Sequence, residues 1–154
     1  MTPLTQSPAF ILAALLRSKG VVVLPGSTGM WPCYIGSMPD GDNVPDECVS
    51  IRDMPGIKEG RDMASGLVLE RFGVQIKVRA TSTDYNGGWQ QLDAIMLALD
   101  KVVSQSVQTD TSHFYTIPAI TRGSPLPMGQ EPITESTKRR WFFALNATFT
   151  CDPV

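Results

Sequence analysis

Histidine and cysteine are scarce in this sequence. It contains one histidine, His113, and three widely spaced cysteines, Cys33, Cys48 and Cys151. A zinc site needs about four ligands in compact pairs, and no such spacing occurs here. Odd, scattered cysteines fit reduced thiols better than a disulfide framework. A cysteine and His113 would need only to meet in space to form a catalytic pair, but no local signature supports one. We therefore expect structural roles for all four residues and no metal site.

An excess of basic charge is absent as well. The chain has 13 lysines and arginines against 15 acidic residues, a formal net charge of −2 and a pI near 5.3. Domains that bind nucleic acid tightly are usually basic, because they must neutralise phosphates. No GxxxxGK[ST] loop is present, and no GxGxxG follows a strand, so no nucleotide cofactor is indicated. We expect a protein that is not an enzyme and holds no cofactor.

Long hydrophobic runs are also missing. The apolar run near the N-terminus is too short to span a bilayer and no basic residue precedes it, so we expect neither a signal peptide nor a membrane anchor. With 154 residues, 42% of them hydrophobic, the chain is expected to form a single domain over residues 1–154 with one core.

Two helices are predicted. Ser7 can cap the first helix, Pro8 suits its first position, and the helix is expected to end near Lys19. Asp84 can cap the second, whose apolar residues recur at steps of three and four. Its regular part is expected to begin near Trp89, because two glycines weaken the first turn. These apolar residues are Trp89, Leu92, Met96, Leu99 and Val103.

Several strands follow one another without a crossover helix. They are predicted at residues 21–24, 47–53, 67–81, 113–122 and 138–151. Pro118 interrupts the fourth, which indicates an edge or a bulge. Residues 26–46 are predicted to be mostly loop around a small apolar patch at 31–35, and residues 54–65 and 124–132 are predicted to be loops, the first of these two exposed and mobile. This order predicts an α+β fold: an antiparallel or mixed sheet with two main helices packed on one face, and long loops.

Two charged clusters have competing interpretations. Asp40, Asp42 and Asp46 lack the terminal glutamate and flanking helices of an EF-hand, so a solvated acidic turn is favoured over a calcium site. Residues 138–141 (KRRW) combine basic and aromatic side chains, as nucleic-acid stacking sites do. Charges at a strand end also guard sheet edges, and we favour an edge or subunit-interface role.

Three blocks of sequence form a pattern with a known parallel. They are PDECVSIRD at residues 45–53, FGVQIKVR at residues 72–79 followed by the helix at 85–103, and RRWFFALN at residues 139–146. In this order they resemble the tail terminator (tail completion) and minor tail proteins of siphophages, the long-tailed bacteriophages.

The resemblance implies a structural virion protein located at the head–tail junction and assembled in the host cytoplasm. Such proteins are expected to form a hexameric ring that caps the tail tube, stops its polymerisation and joins the tail to the head. The implied partners are further copies of the chain, the major tail tube protein and a head–tail connector. Genomic DNA is expected to pass through the lumen without specific binding.

Two alternatives remain open. One is another neck component, an adaptor or a stopper. The other is a monomeric small-ligand-binding domain with the aromatic residues at 31–34 and 113–115 around a pocket.

A cyclic head-to-tail assembly needs two complementary surfaces on each copy. We expect the segment at residues 54–66 and the polar faces of the strands at 75–79 and 140–150 to supply axial and lateral contacts. The candidate contact residues are Ile57, Lys58, Glu59, Arg61, Asp62, Gln75, Lys77, Arg79, Arg139, Arg140 and Asn146.

Overall fold

The computed structural model describes residues 4–61, 63–66, 68–132 and 138–154. Helix α1 spans Pro8–Ser18 and begins as predicted, because the side chain of Ser7 accepts a hydrogen bond from the Phe10 amide. Helix α2 spans Tyr85–Asp100 and is capped by Asp84, whose side chain accepts from the Gly87 amide. In the described part of the chain, neither helix is long and apolar enough to cross a bilayer.

A six-stranded mixed sheet forms the centre of the molecule. Its order is β1-β2-β3-β8-β6, and β7 also pairs with β8. Among the strand pairs of the described residues, β1–β2 is the parallel one and the others are antiparallel. The strands are β1 (Cys33–Ile35), β2 (Cys48–Arg61), β3 (Val68–Ala80), β6 (Ile120–Arg122), β7 (Leu126–Gln130) and β8 (Trp141–Phe149). Two helices with a mixed sheet confirm the predicted α+β class.

The core lies between the two helices and one face of this sheet. In the central strands Ile51, Ile76 and Leu145 are aligned in register and fully buried. Leu15 of α1 and Ile95 of α2 belong to the same buried cluster. Because side chains alternate along a strand, the intervening residues point to the opposite face. The apolar residues of the last strand, Phe143, Leu145, Ala147 and Phe149, are buried on this face beneath the helices.

A smaller three-stranded sheet completes the fold. It consists of β4 (Gln105–Gln108), β5 (Phe114–Ile117) and β9 (Asp152–Pro153), in the order β4-β5-β9. Pro118 separates β5 from β6, which confirms the predicted interruption. Strand β4 was not predicted, because its sequence QSVQ contains a single apolar residue.

Three predictions of local structure were wrong. Residues 54–61, expected in a loop, continue β2, and residues 126–130, also expected in a loop, form β7. Both segments are exposed and therefore lack the apolar alternation by which strands are recognised. Conversely, the apolar residues 21–24 make only an isolated bridge, between Val23 and Pro32.

Helix α2 also begins earlier than expected, at Tyr85 rather than near Trp89. Gly88 sits where the helix approaches the sheet closely, whereas Gly87 lies against the capping side chain of Asp84. A Cβ atom on Gly88 would lie 2.7 Å from the Ala80 Cβ and 2.7 Å from the Phe143 ring. The ring of Tyr85 packs edge-on against Phe143 with 5.0 Å between centroids. Tertiary packing therefore compensates for the low helix propensity of glycine.

We expect the substitution Gly88→Ala to destabilise the fold by about 1 kcal/mol, although alanine is the better helix former. Overpacking costs about 1–3 kcal/mol, against a gain of about 1 kcal/mol in helix propensity. Urea denaturation measures the difference. Asn86→Ala is the control, because Asn86 is exposed on the same turn and should be neutral or slightly stabilising. A Gly88→Ala protein more stable than the wild type would contradict this account of the close contact.

Candidate assembly surfaces

The groups with the greatest potential for chemistry are buried or already paired. Cys33, Cys48 and Cys151 are buried free thiols. Burial raises the pKa of Cys33 and of Cys151 to about 12 and also raises the pKa of Cys48. Thiols with such pKa values are protonated at neutral pH and are poor nucleophiles. No group of three or more potential metal ligands occurs among the described residues.

The single histidine lies at the surface next to an aspartate. His113 Nδ1 is 2.8 Å from the carboxylate of Asp110, which also accepts hydrogen bonds from the amides of Ser112 and His113. These contacts lower the pKa of Asp110 to about 2, the Ser112 amide contributing most. The arrangement stabilises the turn between β4 and β5. The aromatic residues at 31–34 and at 113–115 are associated with different sheets.

The distal half of the β2–β3 hairpin extends beyond the rest of the sheet. We call residues 54–61 and 68–71 the arm. Strand β1 pairs with β2 only at residues 33–35 and 49–51, and β8 pairs with β3 only from Phe72 onward. Within the arm the strands pair only with each other among the described residues. Both outer edges of the arm therefore carry backbone groups without strand partners.

Two glycines allow the strands to approach closely where the arm begins. A Cβ atom on Gly56 would lie 2.2 Å from the Arg71 carbonyl oxygen, and one on Gly73 would lie 2.6 Å from the Pro55 carbonyl oxygen. The pairing register shifts at this point, between Met54 and Ile57. Such a bulge bends a hairpin and increases its twist. The arm's direction is thus built into the backbone at its base.

Side-chain contacts join the two strands of the arm and the turn between them. Glu59 and Arg71 form a 2.7 Å ion pair across the strands, and Arg61 Nε donates to the Gly66 carbonyl oxygen. Ile57 is 52% exposed, and Met63, between the two strands, is 93% exposed. A two-stranded hairpin is marginally stable in water unless it packs on something. The arm therefore has the composition and geometry of a contact element.

The face of the large sheet opposite the helices is polar and partly open. The side-chain nitrogen of Gln75 on β3 donates to the side-chain oxygen of Asn146 on β8 over 3.2 Å. The side-chain oxygen of Gln75, Oε1, is buried and has no hydrogen-bond partner among the described residues. Arg52 and Lys77 lie on the same face, beside a depression of about 250 Å³. It is lined by Gly36, Ser37, Met38, Ser50, Arg52, Lys77 and Phe142.

A long loop, residues 36–47, crosses one end of this face and is held by two buried arginines. Arg79 is only 2% exposed, and its guanidinium donates to the carbonyl oxygens of Pro39, Pro45 and Asp46 at 3.1, 2.9 and 2.8 Å. Three backbone acceptors thereby satisfy a buried cation. This contact fixes the loop without requiring any particular loop side chain.

The second arginine, Arg140, is bound by carboxylates on both sides. It forms bidentate pairs with Asp40, at 3.0 Å for both contacts, and with Glu131, at 2.8 and 3.1 Å. These hydrogen bonds lower the pKa of both carboxyls below the ordinary range. Lys138 adds a 3.2 Å pair with Asp46. Asp40 is 67% exposed and Asp46 is 31% exposed, as expected of a solvated acidic turn, and both also neutralise cations at the start of the last long strand.

The predicted contact residues fall into three places. Ile57, Lys58, Glu59 and Arg61 lie on the arm, and Asp62 lies outside the described residues. Gln75, Lys77 and Asn146 lie on the open sheet face. Arg79 and Arg140 are buried and bind the loop, whereas Arg139 next to them is exposed.

Arg52 was missed by the sequence prediction. The alternation in residues 47–53 was visible, and it placed Arg52 opposite Ile51 and therefore on the polar face.

We expect Arg140→Leu to lower the free energy of unfolding by about 2–3 kcal/mol at pH 7, because two charge-assisted pairs lose their common cation. The control is Arg122→Leu, which removes a bidentate pair with Asp100 at the surface and should cost less than about 1 kcal/mol.

The Arg140 effect should depend on pH. Glu131 and Asp40 have lowered pKa values in the folded protein. Their pairing with Arg140 therefore stabilises the folded state at pH values above the pKa of the same carboxyls in the unfolded chain, which is 4.5 for the glutamate. This stabilisation is lost as the pH falls through the folded pKa. The difference between wild type and Arg140→Leu should therefore shrink below about pH 4.5 in denaturation experiments. A difference that stays constant down to pH 3 would contradict the pairing.

Comparison with known proteins gives one informative match. A family model described as "Bacteriophage tail terminator protein" matches residues 15–152. These residues include the end of α1 from Leu15 onward, the whole of α2 and the large sheet. No curated protein matches the chain. One solved structure is 18% identical over 94% of this chain and 96% of that chain, with a TM-score of 0.46.

Proposed function

The chain belongs to the bacteriophage tail terminator family, and on that premise we propose that it forms a ring that caps the tail tube. The ring would stop polymerisation of the tube and join the tail to the head. Family membership establishes the coarser role, a structural protein of the phage tail. A structural role of this kind is exerted through contact surfaces, and the arm is the observation that carries the finer proposal.

The arm supports assembly because it is an exposed strand pair with two free edges. Free edges and an apolar side chain such as Ile57 favour pairing with another chain over exposure to water. In an isolated molecule the same arm would be an aggregation hazard. A partner that covers it removes that hazard and supplies the packing that a two-stranded hairpin lacks.

Closure into a ring requires two different surfaces on each copy. Exposed apolar side chains lie at opposite edges of the large sheet, and we propose that one edge of each copy contacts the other edge of its neighbour. They are Leu24, Met30 and Ile35 beside β1, and Leu126 and Met128 on β7. A head-to-tail contact of this kind closes into a ring when the rotation per copy divides a full turn.

The resemblance of the sequence sets the expected copy number at six. In the proposed arrangement the arm reaches along the ring axis toward the tail tube protein or a neighbouring copy. The opposite end of the ring contacts the head–tail connector, and DNA passes through the lumen. The mixed charges of the arm, among them Lys58, Glu59 and Arg61, suit polar contacts around the apolar Ile57.

Ile57→Lys tests the proposal, because it places a charge at the exposed apolar position of the arm. We expect the folded subunit to keep its unfolding free energy within about 0.5 kcal/mol, as surface substitutions usually do. The ring population, measured by sedimentation velocity alone and with tail tube protein, should fall at least tenfold. Val103→Lys is the matched control, since Val103 is 78% exposed outside the arm and should leave assembly unchanged.

The same variants can be tested in an assembling phage that lacks this protein. Wild type and Val103→Lys should restore joined particles with tails of normal length, whereas Ile57→Lys should leave overlong tails or unjoined heads in electron micrographs. A wild-type chain that stays monomeric when concentrated and mixed with tube protein would overturn the ring. Normal particles with Ile57→Lys would show that assembly does not use the arm.

A further inference from the structure

The open face of the large sheet carries two cations that no carboxylate of the described chain neutralises. Lys77 pairs in register with Ser50, and Arg52 pairs with Gln75, so Arg52 and Lys77 are diagonal neighbours on one face. Neither side chain forms an ion pair or a hydrogen bond within the described residues. Arg140, by contrast, has two carboxylate partners.

These cations border the depression of about 250 Å³ described above, which we call the basic pocket. Its lining residues also include the hydroxyl side chains of Ser37 and Ser50 and the ring of Phe142, and they include no aspartate or glutamate. Two like charges in such proximity repel each other. An anion seated between them would relieve this repulsion and accept hydrogen bonds from the serines.

We propose that the basic pocket contacts phosphate groups of double-stranded DNA. The inference rests on the proposed function, because a ring must turn one face of each copy toward the DNA in its channel. The open face offers cations and neutral polar groups without a shape that could enter a groove. Contacts of this type bind phosphates and carry no sequence information.

Three carboxylates of a neighbouring copy, Asp40, Asp46 and Glu131, are less suitable occupants than a phosphodiester. Asp40, Asp46 and Glu131 are already bound to Arg140 or Lys138 of their own copy. They would have to break those pairs to reach the basic pocket of a neighbour. A phosphodiester brings its charge without that cost.

Two cations per copy imply weak, salt-sensitive binding. With a formal net charge of −2, the remainder of each copy does not retain DNA. Contact would therefore be brief and repeated as the DNA moves, and the helices would lie on the side of the ring away from the channel.

The experiment measures binding of the purified full chain to a short fluorescent duplex by anisotropy, from low to physiological salt. We expect Arg52→Gln combined with Lys77→Gln to weaken binding at least tenfold at low salt. The slope of log affinity against log salt should fall by about one for each phosphate that the variant no longer neutralises. The control is Lys19→Gln combined with Lys101→Gln, which removes the same charge near a groove beside α2 and should stay within twofold of wild type.

Three results would overturn the inference: no binding by wild type at low salt, equally weakened binding in both double variants, or displacement of the duplex by polyglutamate at matched charge concentration. Sedimentation of the same samples reports the ring independently. An intact ring whose DNA binding ignores Arg52 and Lys77 would remove this site and leave the proposed function standing. Selective weakening of DNA binding in a chain that never forms a ring would support this site and overturn the proposed ring.

Discussion

Burial of one face of the six-stranded sheet beneath two helices is the constraint on which the rest of this molecule depends. Ile51, Ile76 and Leu145 meet in register on the dry face, and the period of two then turns their neighbours to the opposite face. The helices are oriented by specific contacts as well: the Ala9 amide at the start of α1 donates to Asp53 over 2.8 Å. The same residues that build the core therefore also define the open polar face.

The open face is partly closed by a loop that has little regular structure of its own. Two buried arginines hold it, Arg79 through backbone carbonyls and Arg140 through carboxylates. Arginine suits both tasks, because its planar guanidinium offers five donors in a fixed geometry. The loop is thereby positioned at the edge of the basic pocket, which Ser37 and Met38 help to line. Stability and the proposed contact surface thus share one set of interactions.

The arm is built differently from the open face. Its strands leave the sheet at a bulge whose close contacts require Gly56 and Gly73, and beyond that point the described residues of the pair have no third strand beside them. An element of this kind contributes little to the stability of one copy. The proposed ring assigns it a contact role, which is consistent with membership of a tail protein family.

The sequence by itself determined the α+β class, both helices, the three long central strands and the family, because these depend on periodicity, capping residues and the order of segments. Only the tertiary structure decided the rest. Residues 54–61 and 126–130 form strands through backbone pairing with a neighbouring strand, which leaves no apolar period to read. Arg140 and Asp40 are 100 positions apart, and Arg52 meets Lys77 only through the register of two strands. Contacts between residues so distant in the chain are set by how the sheet is assembled, and no local pattern encodes them.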